Sequence, residues 1–222
     1  MRSRHLSLAL AVPGFAQPAA ALDSTYSSLD YSLFRAVNGL PGRSAALDAV
    51  MVGCAKYLPI VFALALIALW ISWRPKNQWA ALLAGISALL ALGLGQLIGK
   101  ALPRPRPYLS HPVHQLIPPS LDTSFPSDHA TLGFAVAVVV WRYNPRAGAV
   151  LLVLAIVMAF ARVFVGAHYP ADVLGGALLG TVTSIALVAL SERSSVGLLL
   201  NRLFQLFRRW HLAAPASNSR GI

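Results

Sequence analysis

The chain has 222 residues, of which 57% are hydrophobic and only 11% are charged, whereas soluble domains carry about 25% charged residues. This composition, together with a mean hydropathy of +0.65 and one cysteine, excludes an ordinary soluble domain, a disordered chain and a disulfide scaffold. The formal net charge of +11 predicts basic loops beside lipid headgroups and no nucleic-acid partner, because a nucleic-acid-binding protein of this charge would be a basic soluble domain.

Residues 1–28 resemble a secretory signal. A basic start at residues 1–5 precedes an apolar stretch at residues 6–16 and a group of small residues at 19–21. A signal of this kind would deliver the following chain to the outer side of a membrane. An extension without a targeting role is the alternative interpretation.

Residues 29–191 are expected to form a membrane domain, because runs without Asp, Glu, Lys or Arg predict transmembrane helices of about 20 residues. The third run along the chain is too short to span a bilayer by itself. If the preceding residues extend it, Asp128 and His129 lie at the membrane edge. The predicted fold class is all-α, a polytopic membrane helical bundle of about five transmembrane helices plus interfacial helices. The five runs are residues 57–73, 77–99, 130–141, 147–161 and 173–191.

Amphipathic segments flank the spans. Residues 29–56 are expected to lie as short pieces on the outer membrane surface, with a break at the turn-forming residues 38–42. Residues 192–222 are expected to form a basic amphipathic tail on the cytoplasmic surface.

The basic loops predict the orientation of the bundle in a bacterial cytoplasmic membrane. They all fall on one side, which the positive-inside rule makes cytoplasmic. Residues 100–128 and the turn at residues 166–170 then lie on the outer side. The basic residues of the three loops are Arg74, Lys76, Arg142, Arg146, Arg193, Arg202, Arg208 and Arg209.

Three clusters of ionisable residues lie on the predicted outer side, and such residues in a membrane protein are functional candidates. The first cluster contains Lys100, Arg104 and Arg106. Prolines alternate with these cations and stiffen the loop, which favours binding of a multiply charged anion over anchoring to headgroups.

The other two clusters combine histidines with acidic and basic residues. Ser127 and Asp128 precede His129, and either could cap a helix whose free N–H groups would also bind an anion. His168 and Asp172 are four residues apart, so that they share one face of a helical turn. A carboxylate at that spacing can orient an imidazole for nucleophilic attack. Arg162 completes the third cluster.

The titratable residues that the chain contains restrict the reactions that it could catalyse. Glu192 is the only glutamate, which disfavours glycoside hydrolysis and a carboxylate-bound magnesium ion. His111 and His114 could bind a metal, but no third ligand stands at a recognised spacing, and no metal site is predicted. A histidine nucleophile, a second histidine as acid and several cations suit phosphoryl transfer.

These residues resemble the type 2 phosphatidic acid phosphatase superfamily, whose motifs are Lys-x6-Arg-Pro, Pro-Ser-x-His and Arg-x5-His-x3-Asp. The second and third motifs match fully at residues 126–129 and 162–172. In the first motif, five residues instead of six separate Lys100 from Arg106, and Arg104 is therefore a further candidate for its role.

The flanking sequence is similar to the bacitracin-resistance type of undecaprenyl-diphosphatase. The similarity rests on residues 31–39, 47–51 and 111–118, and on Asp128, where many members of the superfamily have Gly. It implies a polyprenyl diphosphate lipid as substrate and a reaction that needs no metal and no cofactor.

The resemblance also implies a role for each candidate residue. His168 would attack the terminal phosphorus, Asp172 would hold the other ring nitrogen, and His129 would protonate the leaving lipid phosphate. The phosphate oxygens would be bound by residues from all three clusters: Lys100, Arg106, Arg162 and Ser127, with Arg104 and Asp128 as additional candidates.

Two alternatives stay open at this point. A phosphatase of the same superfamily could act on phosphatidylglycerophosphate, phosphatidate or lipid A, because apolar pockets discriminate weakly between lipid chains. A membrane protein that binds anionic lipid without turnover would need the cations. It would not need an oriented imidazole, so His168 and Asp172 argue against it.

Overall fold

The computed structural model describes residues 28–193 and 195–212, and the signal-like residues 1–27 lie outside this part of the chain. The described residues form helices without a strand, which confirms the all-α prediction. Eight helices occur in this part: α1 (Ser28–Asn38), α2 (Ala45–Ile71), α3 (Pro75–Ala101), α4 (Pro107–Ser110), α5 (Asp128–Tyr143), α6 (Pro145–Phe164), α7 (Pro170–Arg193) and α8 (Ser195–Leu212).

Four of these helices, namely α2, α3, α6 and α7, are long and apolar enough to cross a membrane. The remaining central helix, α5, has 16 residues and a length of about 24 Å at 1.5 Å per residue. It begins at Asp128, so that Asp128 and His129 stand at its end as expected for the third span. Because α5 packs against α3, α6 and α7, it forms the centre of the polytopic bundle.

The start of the first long helix differs from the sequence prediction. The break at residues 38–42 is present, but residues 45–56 are the first turns of α2 and not separate surface pieces. The Ser44 side chain caps this helix by accepting a hydrogen bond from the Leu47 N–H. Asp48 and Lys56 interrupted the charge-free run in the sequence, yet both are compatible with a helix that continues beyond the apolar core of the membrane.

Close contact between α5 and α7 depends on two glycines one turn apart. A Cβ atom at Gly176 would lie 2.5 Å from the Ser127 carbonyl oxygen, and one at Gly180 would lie 2.4 Å from the Thr131 carbonyl oxygen. Small residues of this kind allow the backbones of membrane helices to approach closely. The approach brings the Ser127 N–H to 3.0 Å from the Asp172 carbonyl oxygen, where the two later motifs meet.

The opposite end of the bundle is closed by polar and aromatic contacts. Arg142 at the end of α5 pairs with Glu192 at the end of α7, with 3.0 Å between Nη2 and Oε1. In α8, the Phe204 ring packs against Trp70 and Trp79, with centroid separations of 6.1 and 5.4 Å. The tail therefore begins as the predicted helix and docks on this end of the bundle.

The glycine contacts give a testable prediction. Gly180→Ala should destabilise the folded protein by about 1–3 kcal/mol, because the added methyl group meets backbone atoms that cannot move aside. Gly93→Ala is the matched control in α3: its Cβ would meet nothing within 4 Å, and removing a helical glycine gains about 0.5–1 kcal/mol. Thermal unfolding in detergent measures both, and equal midpoints for the two variants would contradict the packing argument.

Candidate active site

The three clusters meet at one end of the bundle. The segment that carries the first cluster crosses the segment before the second, where the Ser124 N–H donates to the Arg104 carbonyl oxygen at 2.8 Å. The Ser127 N–H donates to the Asp172 carbonyl oxygen and joins the second cluster to the third. Residues separated by about 70 positions in the chain thus surround one site, consistent with the sequence prediction of a shared location.

Asn38, the last residue of α1, forms hydrogen bonds with the loop that contains His114 at this end of the bundle. Its side-chain Nδ2 donates to the carbonyl oxygens of His114 and Phe164, both at 2.9 Å. Its Oδ1 accepts from the His114 N–H at 2.9 Å. Gly166 beside this contact has a φ of +80°, and a Cβ there would lie 2.9 Å from the His114 carbonyl oxygen, so glycine fits this turn.

The two loop histidines have contacts with the protein. His114 Nδ1 lies 2.8 Å from the Asn38 carbonyl oxygen, and the His111 ring stacks on Tyr31 with 3.9 Å between centroids. Within residues 28–193 and 195–212, no three His, Cys, Asp or Glu side chains are grouped closely enough to hold a metal ion.

His168 is buried, with 1% of its surface exposed, and both ring nitrogens have defined partners. Nδ1 lies 2.9 Å from the Ser124 carbonyl oxygen, and because a carbonyl only accepts, Nδ1 carries the proton. Nε2 is then the unprotonated nitrogen, and it accepts from Arg106 Nη1 at 3.2 Å. This tautomer is the one that a nucleophilic Nε2 requires.

The surroundings of His168 keep its ring neutral. Burial lowers the pKa of His168 to about 4, and the positive charges of Arg162 and Arg106 act in the same direction. The neighbouring Asp172 opposes this shift. A neutral imidazole has a free lone pair for attack, and His168 therefore meets the electronic requirement of a nucleophile.

Asp172 is fully buried at the start of α7, and its carboxylate is held by several donors. Oδ2 accepts from the Ser124 hydroxyl at 2.5 Å and from the Tyr169 N–H at 2.8 Å. Oδ1 accepts from Arg104 Nη1 at 2.7 Å. The carboxylate lies 3.8 Å from His168 Nδ1, close enough for a strong electrostatic interaction, while the hydrogen bond of that nitrogen goes to Ser124. Sequence reasoning missed Ser124, which belongs to no motif.

A cavity of about 280 Å³ opens beside His168. Two buried donors near it have no hydrogen-bond partner within the described part of the protein, the Arg162 Nε and the Ser127 hydroxyl. Buried polar groups are normally satisfied, so these two indicate a ligand that supplies acceptor oxygens. The charged and titratable residues that line the cavity are Arg106, Asp122, Asp128, His129, Arg162 and His168.

Arg106 and Asp128 are both fixed at the wall of this cavity. Arg106 Nε donates to the Asp122 carbonyl oxygen at 3.0 Å, and Nη1 also reaches the Ala167 carbonyl oxygen at 3.3 Å. Both Asp128 carboxylate oxygens accept from Gln96 Nε2, at 3.1 and 3.3 Å. The cavity wall therefore contains cations together with the Asp128 carboxylate, which Gln96 of α3 holds in place.

Three predicted phosphate ligands, Lys100, Arg104 and Ser127, are not among the residues that line the cavity. Lys100 is exposed at the end of α3 and does not line the cavity. Arg104 is buried and forms ion pairs with Asp30 and Asp172, so its guanidinium points away from the cavity. Arg106 has polyproline II dihedrals, φ −71° and ψ 156°, and in that conformation side chains two residues apart point in different directions. The phosphate role of Arg104 stays a prediction, and in this structure its guanidinium is paired with two carboxylates.

Comparison with known proteins points to one family. A family model described as the PAP2 superfamily matches residues 79–195. The chain is 34% identical over 164 residues to undecaprenyl-diphosphatase BcrC of Bacillus subtilis, covering 74% of this chain and 85% of that protein. It is 28% identical over 186 residues to the putative undecaprenyl-diphosphatase YbjG of Escherichia coli, covering 83% and 91%. The crystal structure of Aquifex aeolicus LpxE is similar with a TM-score of 0.59 and 28% identity, covering 73% of this chain and 96% of that one.

The environment of His168 predicts its protonation state. Since its pKa is lowered to about 4, the ring is protonated only near and below that pH. It stays neutral at about pH 5.5, where a free imidazole with a pKa of about 6.5 is mostly charged. Nuclear magnetic resonance of protein labelled with ¹⁵N-histidine, with His168→Gln to assign the signal, measures this. A His168 signal that titrates near pH 6.5 would overturn the prediction.

Proposed function

The chain belongs to the PAP2 superfamily, and we propose that it is a metal-independent phosphatase that hydrolyses undecaprenyl diphosphate to undecaprenyl phosphate and inorganic phosphate. The observation that carries this proposal is the neutral, buried His168, which lines a cavity together with Arg162, whose Nε is unsatisfied. The names of the similar undecaprenyl-diphosphatases support the choice of substrate. The product is the lipid carrier of cell-wall precursors in its monophosphate form, so the reaction recycles that carrier.

In the first step His168 Nε2 attacks the terminal phosphorus. The new N–P bond forms as the bond from phosphorus to the bridging oxygen breaks, and His129, protonated in the complex with the anionic substrate, gives its proton to the departing lipid monophosphate. Arg106, Arg162 and the Ser127 hydroxyl bind the oxygens on which negative charge develops. The ring of the phosphohistidine is held from behind by the Ser124 carbonyl oxygen and the Asp172 carboxylate.

In the second step a water molecule attacks the phosphohistidine. His129, now unprotonated, accepts a proton from this water, and the N–P bond breaks to release inorganic phosphate. His168 returns to its neutral form, and His129 returns to its protonated form. The same cations stabilise both steps, because phosphoryl transfer depends mainly on positioning and charge stabilisation.

The size of the cavity indicates which part of the lipid it encloses. Pockets that bury a whole drug-sized ligand have volumes of about 300–1,000 Å³, and the cavity of about 280 Å³ holds only a phosphorylated headgroup. Asp128 and His129 line it at the end of α5, beside the membrane edge. The polyprenyl chain then lies in the bilayer, along the outer faces of the helices.

We place the active end of the bundle on the outer side of the cytoplasmic membrane. The opposite end carries the basic residues Arg74, Lys76, Arg142 and Arg146, and positive charge is retained on the cytoplasmic side. A site on the outer side meets the diphosphate form of the carrier where its cargo has been used.

Phosphate release by protein purified in detergent, with EDTA present, tests the reaction. Undecaprenyl diphosphate should be hydrolysed in preference to phosphatidylglycerophosphate, phosphatidate and lipid A. His168→Ala should lower kcat by about 10³-fold or more, because it removes the nucleophile. His129→Ala should lower it by about 10²- to 10⁴-fold. His114→Ala is the matched histidine control outside the cavity, and its folded fraction should keep its activity.

Each contrary outcome has a distinct meaning. Preference for a glycerophospholipid or for lipid A would keep the histidine mechanism and move the protein to another lipid pathway. Undiminished turnover by His168→Ala would overturn the mechanism itself. The absence of release from every substrate would favour a protein that binds anionic lipid without turnover.

Cysteine labelling tests the orientation, because the chain has a single cysteine, Cys54, that can be replaced by Ala. In that background Pro119→Cys, at an exposed position of the active end, should react with a membrane-impermeant maleimide in intact spheroplasts. Arg146→Cys, exposed at the opposite end, should react only after the membrane is permeabilised. The reverse pattern would place the active site in the cytoplasm.

A further inference from the structure

A buried arginine links α1 to the base of the active site. Arg104 is 3% exposed, and its guanidinium joins two carboxylates. Nη2 lies 2.6 Å from Asp30 Oδ2, and Nη1 lies 2.7 Å from Asp172 Oδ1. The guanidinium also stacks over the Tyr169 ring, 4.1 Å from its centroid. Arg104 thus contacts Asp172 directly, and the Asp172 carboxylate in turn faces His168.

Asp30 makes a second contact with the same part of the site. It is 8% exposed, and its Oδ1 accepts from the Ala171 N–H in the first turn of α7, at 2.9 Å. Phe34 and Asn38 follow at one and two turns along α1 and are buried on the same face. Asp30 therefore holds both Arg104 and the helical turn that presents Asp172, although it lies outside the region matched by the family model.

The balance of charge in this cluster determines what Asp172 contributes to His168. A guanidinium paired with Asp172 alone would neutralise that carboxylate, and the cluster would have no net charge. With Asp30 as the second partner, the side chains of these three described residues, two carboxylates and one guanidinium, together carry one net negative charge on the Nδ1 side of the imidazole. Burial works against the charged guanidinium, but Asp172 and Asp30 outweigh it and hold the pKa of Arg104 above its ordinary value, so the cation persists.

We propose that Asp30 is a positioning residue for the reaction, which acts through Arg104 to orient Asp172 and to preserve its negative charge behind His168. This inference rests on the histidine mechanism proposed above. When Nε2 bonds to phosphorus while Nδ1 keeps its proton, the ring gains positive charge, and a negative cluster stabilises that state more than the neutral ground state. Asp30 accordingly affects the chemical step and not the binding of the lipid.

The matched pair Asp30→Asn and Asp48→Asn tests the proposal. Both changes remove one carboxylate charge near the same end of the chain, but Asp48 accepts from the Gly42 N–H and lies outside the cluster. Asp30→Asn should lower kcat by about tenfold or more with KM changed by less than about twofold. Losses of about this size occur when the residue that hydrogen-bonds to a metal-ligating side chain is replaced. The loss should be equal on undecaprenyl diphosphate and phosphatidylglycerophosphate, because Asp30 does not face the lipid. Asp48→Asn should keep the kcat of the unmodified protein.

A second pair of variants separates charge from folding. Arg104→Met leaves Asp30 and Asp172 facing each other without a cation, and Arg104→Met combined with Asp30→Asn removes that repulsion. The double variant should have a higher kcat than Arg104→Met alone, so that the two changes are not additive. Rates are measured per folded molecule, after gel filtration and with thermal midpoints recorded for each variant.

The outcomes distinguish this inference from the proposed function. If Asp30→Asn lowers only the thermal midpoint and keeps kcat, or if the two changes combine independently, Asp30 is a structural anchor and the inference is overturned. If His168→Ala retains turnover, the mechanism beneath it fails instead. A kcat loss in Asp30→Asn together with rescue in the double variant supports the positioning role.

Discussion

The Asp172 carboxylate is buried, so protein groups must balance its charge and donate hydrogen bonds to its oxygens. The active end of the molecule is organised around this requirement. Arg104 supplies a cation, Ser124 supplies a hydroxyl, and Tyr169 supplies a backbone N–H. These partners come from the loop after α3, the segment before α5 and the turn before α7. Satisfying one carboxylate therefore also brings together the segments from which the phosphate site is built.

The same site leaves other polar groups without protein partners. Within the described residues, the Ser127 hydroxyl and the Arg162 Nε are buried and unsatisfied, whereas His168 Nδ1 has its acceptor. An unsatisfied buried donor destabilises the folded protein by about 1–3 kcal/mol, so this arrangement sacrifices stability at the positions where an anion would bind. The Asp172 carboxylate and His168 Nδ1 are thus satisfied within the protein, whereas the Arg162 Nε at the cavity wall is not.

The sequence predicted the four long apolar helices of the structure and contains the three motifs, and both signals are local. Hydropathy is a property of a continuous run, and the spacing of His168 and Asp172 needs only the geometry of one helical turn. It did not predict Ser124 or Asp30, since their contacts cross 44 and 141 positions and belong to no motif. Arg104 became a candidate phosphate ligand because the spacing from Lys100 to Arg106 departs from the superfamily motif, and only the three-dimensional structure shows its guanidinium between Asp30 and Asp172.

The helix α1 precedes the region that the family model matches, yet it contacts the active end of the bundle. The matched region, residues 79–195, contains every residue proposed to touch phosphate or phosphorus. Asp30 and Asn38 precede it, yet one reaches the charge cluster behind His168 and the other fixes the loop that covers the site. In the proposed mechanism the three clusters would supply the reacting groups, while a helix outside the motifs would set the charge behind His168.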